Sequence, residues 1–377
     1  LNNEGWKEII KMAKDILCPY CMEKLGVNSV DFLCSSCRHI VKPSKADLLL
    51  KRIPRCHNEG CKGGIANYKQ CSNCKTELPP DILEYKKYLR FCLLGLTGSG
   101  KTNFLTVLLH EIRNSANTPW IFSAMNDMTQ EIYDSNVALV IDGHEPAEAT
   151  IPGTPPIPQQ WRITDRSRIR GNDIPAYSLT IFDGAGEDIE RIDPTISRYI
   201  SGAKTLIILI DPLSIPEVRK SVSEEIISNS TTTIHENGDS AKMVDGLAKY
   251  IRSCGLSTGK LISKEVAIVF TKIDAVRESF GSSTVMQSSP HLESGGFVKA
   301  DGDAVHAEIK DWLTTHNASS FLNALDANFD VNKLHMFGVS SFGQPPKNNG
   351  NLGKVMPHRV LDPIIWMLSK EGIAKTI

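Results

Sequence analysis

The run from Phe91 to Leu94 is wholly apolar and breaks into a glycine-rich stretch. From Lys101 through Arg113 apolar residues then recur at helical spacing. Short continuous apolar runs suit strands buried on both faces of a parallel sheet. Thr205–Asp211 (TLIILID), Glu265–Asp274 (EVAIVFTKID) and Leu334–Ser340 (LHMFGVS) read the same way. Trp161–Arg168 and Ala176–Asp183 predict neighbouring strands, with a turn at Gly171-Asn172-Asp173. Arg359–Lys370 predicts a closing helix with Pro363 near its first turn, a position that needs no backbone N–H. Strands alternating with helices predict an α/β fold built on a doubly wound, mostly parallel sheet.

Other stretches interrupt that pattern. Leu78–Arg90 reads as a linker entering a short helix. Ile151–Gln159 holds four prolines and must be extended. Ser221–Lys260 carries a polar stretch expected to be a mobile loop between helices, and Gly281–Asp303 is rich in Ser and Gly. Both are expected on the surface, within insertions at about 214–262 and 275–305. The expected organisation is a cysteine-rich region over 1–79, a linker over 80–90 and the α/β domain over 91–377.

The cysteines change the picture at the front of the chain. Eight of the ten lie between Cys18 and Cys74, as Cys18/Cys21, Cys34/Cys37, Cys56/Cys61 and Cys71/Cys74. A Cys-x-x-Cys turn offers two thiolates to one side of a tetrahedral ion, and a second pair completes it. Two structural Zn²⁺ ions are expected. The simplest pairing is sequential, Cys18, Cys21, Cys34 and Cys37 and then Cys56, Cys61, Cys71 and Cys74; the spacing also permits an interleaved one. Cys18-Pro-Tyr-Cys21 alone looks like a glutaredoxin-type redox site, but it lacks the βαβ setting that chemistry needs. Segments this short bury too little apolar surface to fold unaided, so metal would supply much of their folding energy.

Composition adds limits. The formal net charge is -1, so the whole chain does not read as a polyanion binder. Residues 1–90 nevertheless hold 16 Lys+Arg against 10 Asp+Glu. That basic front end suits an acidic partner, nucleic acid or the chain's own acidic remainder, or equally a solvated surface; protein contact is preferred to nucleic acid because no aromatic platform for bases is evident. No apolar run approaches the ~20 residues that span a bilayer. With no signal-like apolar core and clustered cysteines that suit a reducing compartment, a cytoplasmic protein without membrane contact is expected.

The glycine stretch carries the chemistry. Gly95–Thr102, GLTGSGKT, fits G-x-x-x-x-G-K-[ST] between a strand and a helix. Its glycines let backbone amides turn inward around phosphate oxygens, and the helix N-terminus adds its positive dipole end. Gly95, Gly98, Ser99, Gly100 and Asn103 are expected at the nucleotide, with Lys101 on the β- and γ-phosphates and the Thr102 hydroxyl on Mg²⁺. Asp183–Glu187, DGAGE, reads as D-x-x-G: Asp183 would hold Mg²⁺ through water and the Gly186 N–H would meet the γ-phosphate. Thr271–Asp274, TKID, ends another strand. Asp274 can accept both guanine N1–H and N2–H₂, a donor pair that adenine lacks, and the stem of Lys272 can lie over the base. Ser340 and Ser341 fall where a loop backing the guanine belongs.

The order GLTGSGKT, DGAGE, TKID, Val339-Ser340-Ser341 resembles a Ras-like P-loop GTPase of the translation-factor-related class. The long insertions, the RYISGAKTLIILIDP run and the leading cysteine pairs look similar to double-GTPase proteins of bacterial conflict (anti-phage) systems. That resemblance implies a GTP/GDP switch that relays a signal to partner proteins. Two departures stand out. Thr271 replaces the usual Asn, losing an amide that would brace the P-loop and the base. Glu187 stands where a water-orienting Gln is usual: either it acts on the water, so that hydrolysis is expected to be slow or partner-dependent, or it is a solvated switch-loop residue with no catalytic task. Thr154 is the candidate first-switch threonine, with Thr150 second, and Arg162, Arg166, Arg168 and Arg170 are candidates for an arginine finger. Two other classes fit the same motifs. One is a P-loop ATPase in which TKID is only a strand end. The other is a catalytically inert, nucleotide-holding scaffold.

Overall fold

A computed structural model of the chain describes residues 16–44, 46–47, 52–95, 98–147, 157–169, 175–183, 194–228, 240–255, 260–346 and 352–377. The front of the chain is a four-stranded antiparallel sheet of β1 (Val30–Leu33), β2 (Ile40–Val41), β3 (Tyr68–Cys71) and β4 (Glu77–Leu78), in the order β2-β1-β3-β4. Three Cys-x-x-Cys turns flank it and share one form. The N–H groups of Met22, Arg38 and Lys75 donate to the carbonyls of Cys18, Cys34 and Cys71, each at 2.9 Å. Those three residues take φ of 60°, 56° and 58°. Left-handed backbone costs a residue with a Cβ about 1–2 kcal/mol.

The expected short helix in Leu78–Arg90 is absent. Turns lead instead into β5 (Tyr88–Gly95), which starts ahead of the expected Phe91. Tyr88, Leu89 and Arg90 pair with Ser178, Leu179 and Thr180. Tyr85 and Tyr88 are buried in one cluster with Leu25 and with Phe32 of the front sheet. Sheet pairing and burial override the local helical preference.

After β5 come α1 (Lys101–Asn114), β6 (Trp120–Ala124), α2 (Asp127–Val137), β7 (Gln159–Asp165), β8 (Ala176–Asp183), α3 (Pro194–Gly202) and β9 (Thr205–Ile210). Then follow α4 (Ser240–Ser253), β10 (Glu265–Phe270), β11 (Gly296–Phe297), α5 (Lys299–Thr315), α6 (Ser319–Asn328), β12 (Leu334–Gly338), α7 (Asp362–Lys370) and β13 (Lys375–Thr376). The main sheet has seven strands in the order β12-β10-β9-β5-β8-β7-β6. β8, β5, β9, β10 and β12 run parallel, and β7 runs antiparallel to both its neighbours. The chain starts at the central β5, goes out to β6, returns through β7 and β8, and crosses to β9. Strand order therefore reverses about β5, and open α/β sheets bind ligands beyond the strand ends at such a point.

The sheet is covered on both faces. Leu206, Ile208, Ile268 and Phe270 pack against Tyr199 of α3, Ile251 of α4, Ile309 of α5 and Phe321 of α6. Ile207, Leu209 and Val269 point the other way, toward Phe104 and Leu108 of α1 and Ile364 and Leu368 of α7. Side chains alternate along a strand, so burial on both faces demands the continuous apolar runs seen in the sequence. Gly281–Asp303 is not a surface loop: Val285, His291 and Phe297 are buried within it and α5 begins at Lys299. In Ser221–Lys260, α4 fills Ser240–Ser253, while 229–239 lie outside the described residues. The Gly171-Asn172-Asp173 turn and 151–156 also lie outside them. Among the described residues, no helix is long and apolar enough to cross a membrane.

Candidate functional site

The glycine loop sits at the sheet's switch point because backbone there comes unusually close. A Cβ on Gly95 would lie 2.6 Å from the Leu209 carbonyl of β9 and 2.8 Å from Ser99 Oγ. Only glycine lets β5 end and turn at that distance. Gly98 and Gly100 take φ of 81° and 77°, and Gly100 caps α1, leaving its N-terminal amides and dipole facing the loop. Lys101 is buried and its Nζ donates to the Gly95 carbonyl at 3.2 Å, so the cation folds back over the loop.

Asp183, the last residue of β8, lies beside α1. Thr102 Oγ1 donates to Asp183 Oδ2 at 3.3 Å. Asp183 Oδ1 is buried with no partner among the described residues. Burial pushes the Asp183 carboxyl up, while Lys101 and the Thr102 hydroxyl pull it down. A carboxylate held half-satisfied beside a hydroxyl, next to the glycine loop, is a donor set that suits Mg²⁺.

At the end of β10, Thr271 is buried and its Oγ1 lies 2.9 Å from the Ser99 carbonyl in the loop and 3.3 Å from the Ile210 carbonyl. The Ile210 carbonyl already accepts from the Thr271 N–H at 2.9 Å. The single hydroxyl proton therefore serves the loop. The brace expected to be lost with Asn is kept by a smaller donor. Lys272 takes φ of 52° and its Nζ pairs with Asp211 Oδ2 at 2.8 Å. The buried Asp211 at the end of β9 also accepts from the Leu213 N–H at 2.9 Å. Anchoring the ammonium fixes the alkyl stem beside Asp274. Asp211 was not singled out in the sequence, where it is an ordinary acidic residue after a strand. Its role depends on β9 and β10 being neighbours.

Burial also raises the Asp274 carboxyl, and a hydrogen bond from Ser340 is the largest opposing influence. Ser340 Oγ accepts from the Gly343 N–H at 2.8 Å, which leaves its own proton for Asp274. Ser341 follows, partly exposed. Asn103 Oδ1 accepts from the Ala147 N–H at 2.8 Å. Thr150, Thr154, Gly186, Glu187 and Arg170 lie outside the described residues. Of the remaining arginines, Arg162 binds Asp81 and Tyr85 and Arg168 pairs with Asp165, so both are engaged away from the loop.

The eight clustered cysteines form two groups, Cys18, Cys21, Cys71 and Cys74 in one and Cys34, Cys37, Cys56 and Cys61 in the other. The simple sequential pairing is thus overturned. The cause is the antiparallel ladder of β1 and β3, which sets Val30 opposite Cys71 and Leu33 opposite Tyr68. The turn after β1 and the turn after β3 are sent to opposite ends of the sheet and cannot share an ion with their sequence neighbours. Sulfurs lie 3.8 Å apart for Cys18–Cys74 and Cys21–Cys71, 3.6 Å for Cys34–Cys61 and 3.7 Å for Cys37–Cys56. Tetrahedral bonds of ~2.3 Å from zinc to sulfur give an edge of about 3.8 Å. Donor set and spacing both fit Zn²⁺.

A third group, His291, Asp301 and Asp362, was not anticipated. His291 Nδ1 accepts from the Val298 N–H at 3.1 Å, so in the neutral ring the proton is on Nε2, facing the carboxylates. Burial holds this His down to about 4. The buried Arg359 guanidinium contacts Asp301 and meets Asp362 at 2.9 Å, supplying the cation itself. This is a salt-bridged staple between Gly281–Asp303 and α7, not a metal centre.

No family model matches the chain, and no curated protein matches it. Among solved structures it is similar to the GTPase-like domain of S. cerevisiae Ski7 bound to GTP, at 11% identity over 78% of this chain, with a TM-score of 0.30. The match takes in 52% of that protein, so the chain spans about half its length. It is also similar to the signal recognition particle receptor SRb-GTP/SRX complex from Chaetomium thermophilum, at 13% identity over 67% of this chain and 90% of that one, with a TM-score of 0.26. Superpositions this loose assign no role to any residue.

Proposed function

We propose that the chain is a guanine-nucleotide-binding switch that hydrolyses GTP to GDP with Mg²⁺ and carries two structural Zn²⁺ ions. The observation that supports it best is a convergence beyond the strand ends on one side of the sheet. Lys101, the Thr102–Asp183 pair, the Thr271 brace and the Lys272–Asp274–Ser340 group all stand at the ends of adjacent parallel strands. In this reading the loop amides and Lys101 hold the phosphates, Thr102 and Asp183 hold the magnesium, and Asp274 accepts from the guanine edge. Bound Mg²⁺ neutralises charge developing on the phosphates. The protein's own part is positioning and electrostatics, without a covalent intermediate. Thr154, Gly186 and Glu187 are proposed to respond to the γ-phosphate, and a relay to protein partners, in bacterial defence, follows from the sequence resemblance. Titration of the metal-loaded protein with GTP and ATP tests the reading. Preference for GTP is expected, and equal affinity would remove the role given to Asp274. Phosphate release in a single turnover, against Lys101→Ala, separates an enzyme from an inert holder.

A further inference from the structure

The first cysteine group does not hang off the domain on a tether. Its turn is seated on two elements of the nucleotide domain at once, through Tyr20, which stands between Cys18 and Cys21. Tyr20 OH accepts from Gln160 Nε2 at 2.8 Å, and Gln160 is a buried residue of β7, the first strand after the candidate first-switch segment. The backbone carbonyl of Tyr20 accepts from Tyr199 OH at 3.1 Å, and Tyr199 lies on α3, the first described element after Asp183. The Tyr199 ring stacks on Phe182 with centroids 4.0 Å apart and planes 17° apart. Phe182 is buried and precedes Asp183, the residue that receives the Thr102 hydroxyl. The end of α3 is also in close contact: a Cβ on Gly202 would come within 2.8 Å of Met22 Sδ and 3.3 Å of Leu17 Cδ1. Met22 takes a left-handed φ in the turn that Cys18 and Cys21 close.

A single residue, through its hydroxyl and its backbone carbonyl, thus ties a metal-dependent turn to β7 and to α3. The second cysteine group lies at the far end of the β1–β3 ladder. Packed contacts of this kind pass small displacements on because buried side chains have few alternative arrangements. Resting on the nucleotide-switch reading above, we propose that the metal held by Cys18, Cys21, Cys71 and Cys74 and the nucleotide at the glycine loop are coupled through Tyr20, Tyr199 and Phe182. Nucleotide state then alters the grip of this site on its metal, and metal occupancy alters nucleotide affinity by the same factor, as linkage requires.

The full chain loaded with ¹¹³Cd²⁺ gives one cadmium resonance per cysteine group. Adding Mg²⁺ with a non-hydrolysable GTP analogue is expected to shift the resonance of the first group and leave the second unmoved. Tyr199→Phe removes the donor to Tyr20 while keeping the ring stack, and Tyr20→Phe removes the acceptor for Gln160. Each variant is expected to identify the first resonance by moving it without nucleotide, and to shrink the nucleotide-induced shift. Chelator competition should show metal affinity at that site changing about five-fold or more between nucleotide-free and analogue-bound protein. Fluorescent-nucleotide titration runs in parallel. If the nucleotide binds and neither the resonance nor the metal affinity responds, the coupling is refuted while the switch reading stands. If no nucleotide binds, both fall.

Discussion

Replacing Thr271 by Val removes one oxygen from a buried site and keeps the shape. The hydroxyl lies 2.9 Å from the Ser99 carbonyl, and Thr271 is 3% exposed, so water has little access to take over the bond. A net intramolecular hydrogen bond contributes about 0.5–1.5 kcal/mol, and a buried acceptor left unsatisfied costs about 1–3 kcal/mol. The Ile210 carbonyl keeps the Thr271 N–H at 2.9 Å, so the loss falls on Ser99 alone. Ser99 belongs to the glycine loop, and the bond shapes that loop in the nucleotide-free chain. If the whole cost reappears as loop ordering on binding, about 1–3 kcal/mol weakens nucleotide binding roughly 5- to 150-fold. The assay is titration with a fluorescent guanine nucleotide at constant Mg²⁺, with urea unfolding of the nucleotide-free proteins beside it. Affinity is expected to fall more steeply than stability. Unchanged affinity in a folded Thr271→Val protein would refute the claim that this hydroxyl organises the loop. Loss of stability with no change in affinity would reduce Thr271 to a core residue.

Other outcomes follow from the same geometry. Gly95→Ala places a methyl 2.6 Å from the Leu209 carbonyl, which is backbone and cannot swing aside; a loss of about 1–3 kcal/mol is expected, read as a lower thermal midpoint. Cys18→Ser combined with Cys74→Ser is expected to leave one zinc per chain by elemental analysis, because both belong to one group; the sequential pairing would leave none. Asp274→Asn should trade guanine for xanthine nucleotides in a competition titration, since the amide donates where the carboxylate accepted. His335 is held neutral, its pKa lowered to about 3 by burial first and by His306 beside it. Its folded value lies below the unfolded ~6.5, so the unfolded chain binds more protons between the two and stability drops as pH falls through that window. From pH 6.5 to 5 this His costs at most about 2 kcal/mol, and urea unfolding of His335→Gln should show a correspondingly flatter pH dependence.

The fold was legible where burial on both faces leaves no choice of residue. Leu206, Ile207, Ile208 and Leu209 alternate between two cores, and each core needs an apolar side chain. β6 and α2 were not legible: the apolar run of β6 is only Trp120-Ile121-Phe122 on an edge strand, and α2 is mostly polar and buries only Thr129 and Tyr133. The glycine loop was legible for a stricter reason. Gly95 must lack a Cβ to pass Leu209, so the demand of one backbone on another is written as a single residue type. Metal pairing was not legible. All eight cysteines are chemically alike, and what sorts them is the antiparallel register of β1 on β3.

Thr271 shows the limit of reading a site by residue identity. Judged against the usual Asn, it is a missing group. Judged by need, the Ser99 carbonyl requires one proton from the end of β10, and a hydroxyl at that position supplies it. Asp211 makes the same point from the other side. Nothing in its local sequence distinguishes it, yet β9 beside β10 brings it within 2.8 Å of Lys272 Nζ and so fixes the stem that flanks Asp274. A motif lists the groups that touch the ligand. The groups that hold those in place are set by strand order, and a neighbour in the sheet can replace a donor or add an anchor without leaving a mark on the motif. Thr271→Val and Asp211→Asn should therefore both weaken nucleotide binding, although Asp211 is not expected to touch the nucleotide.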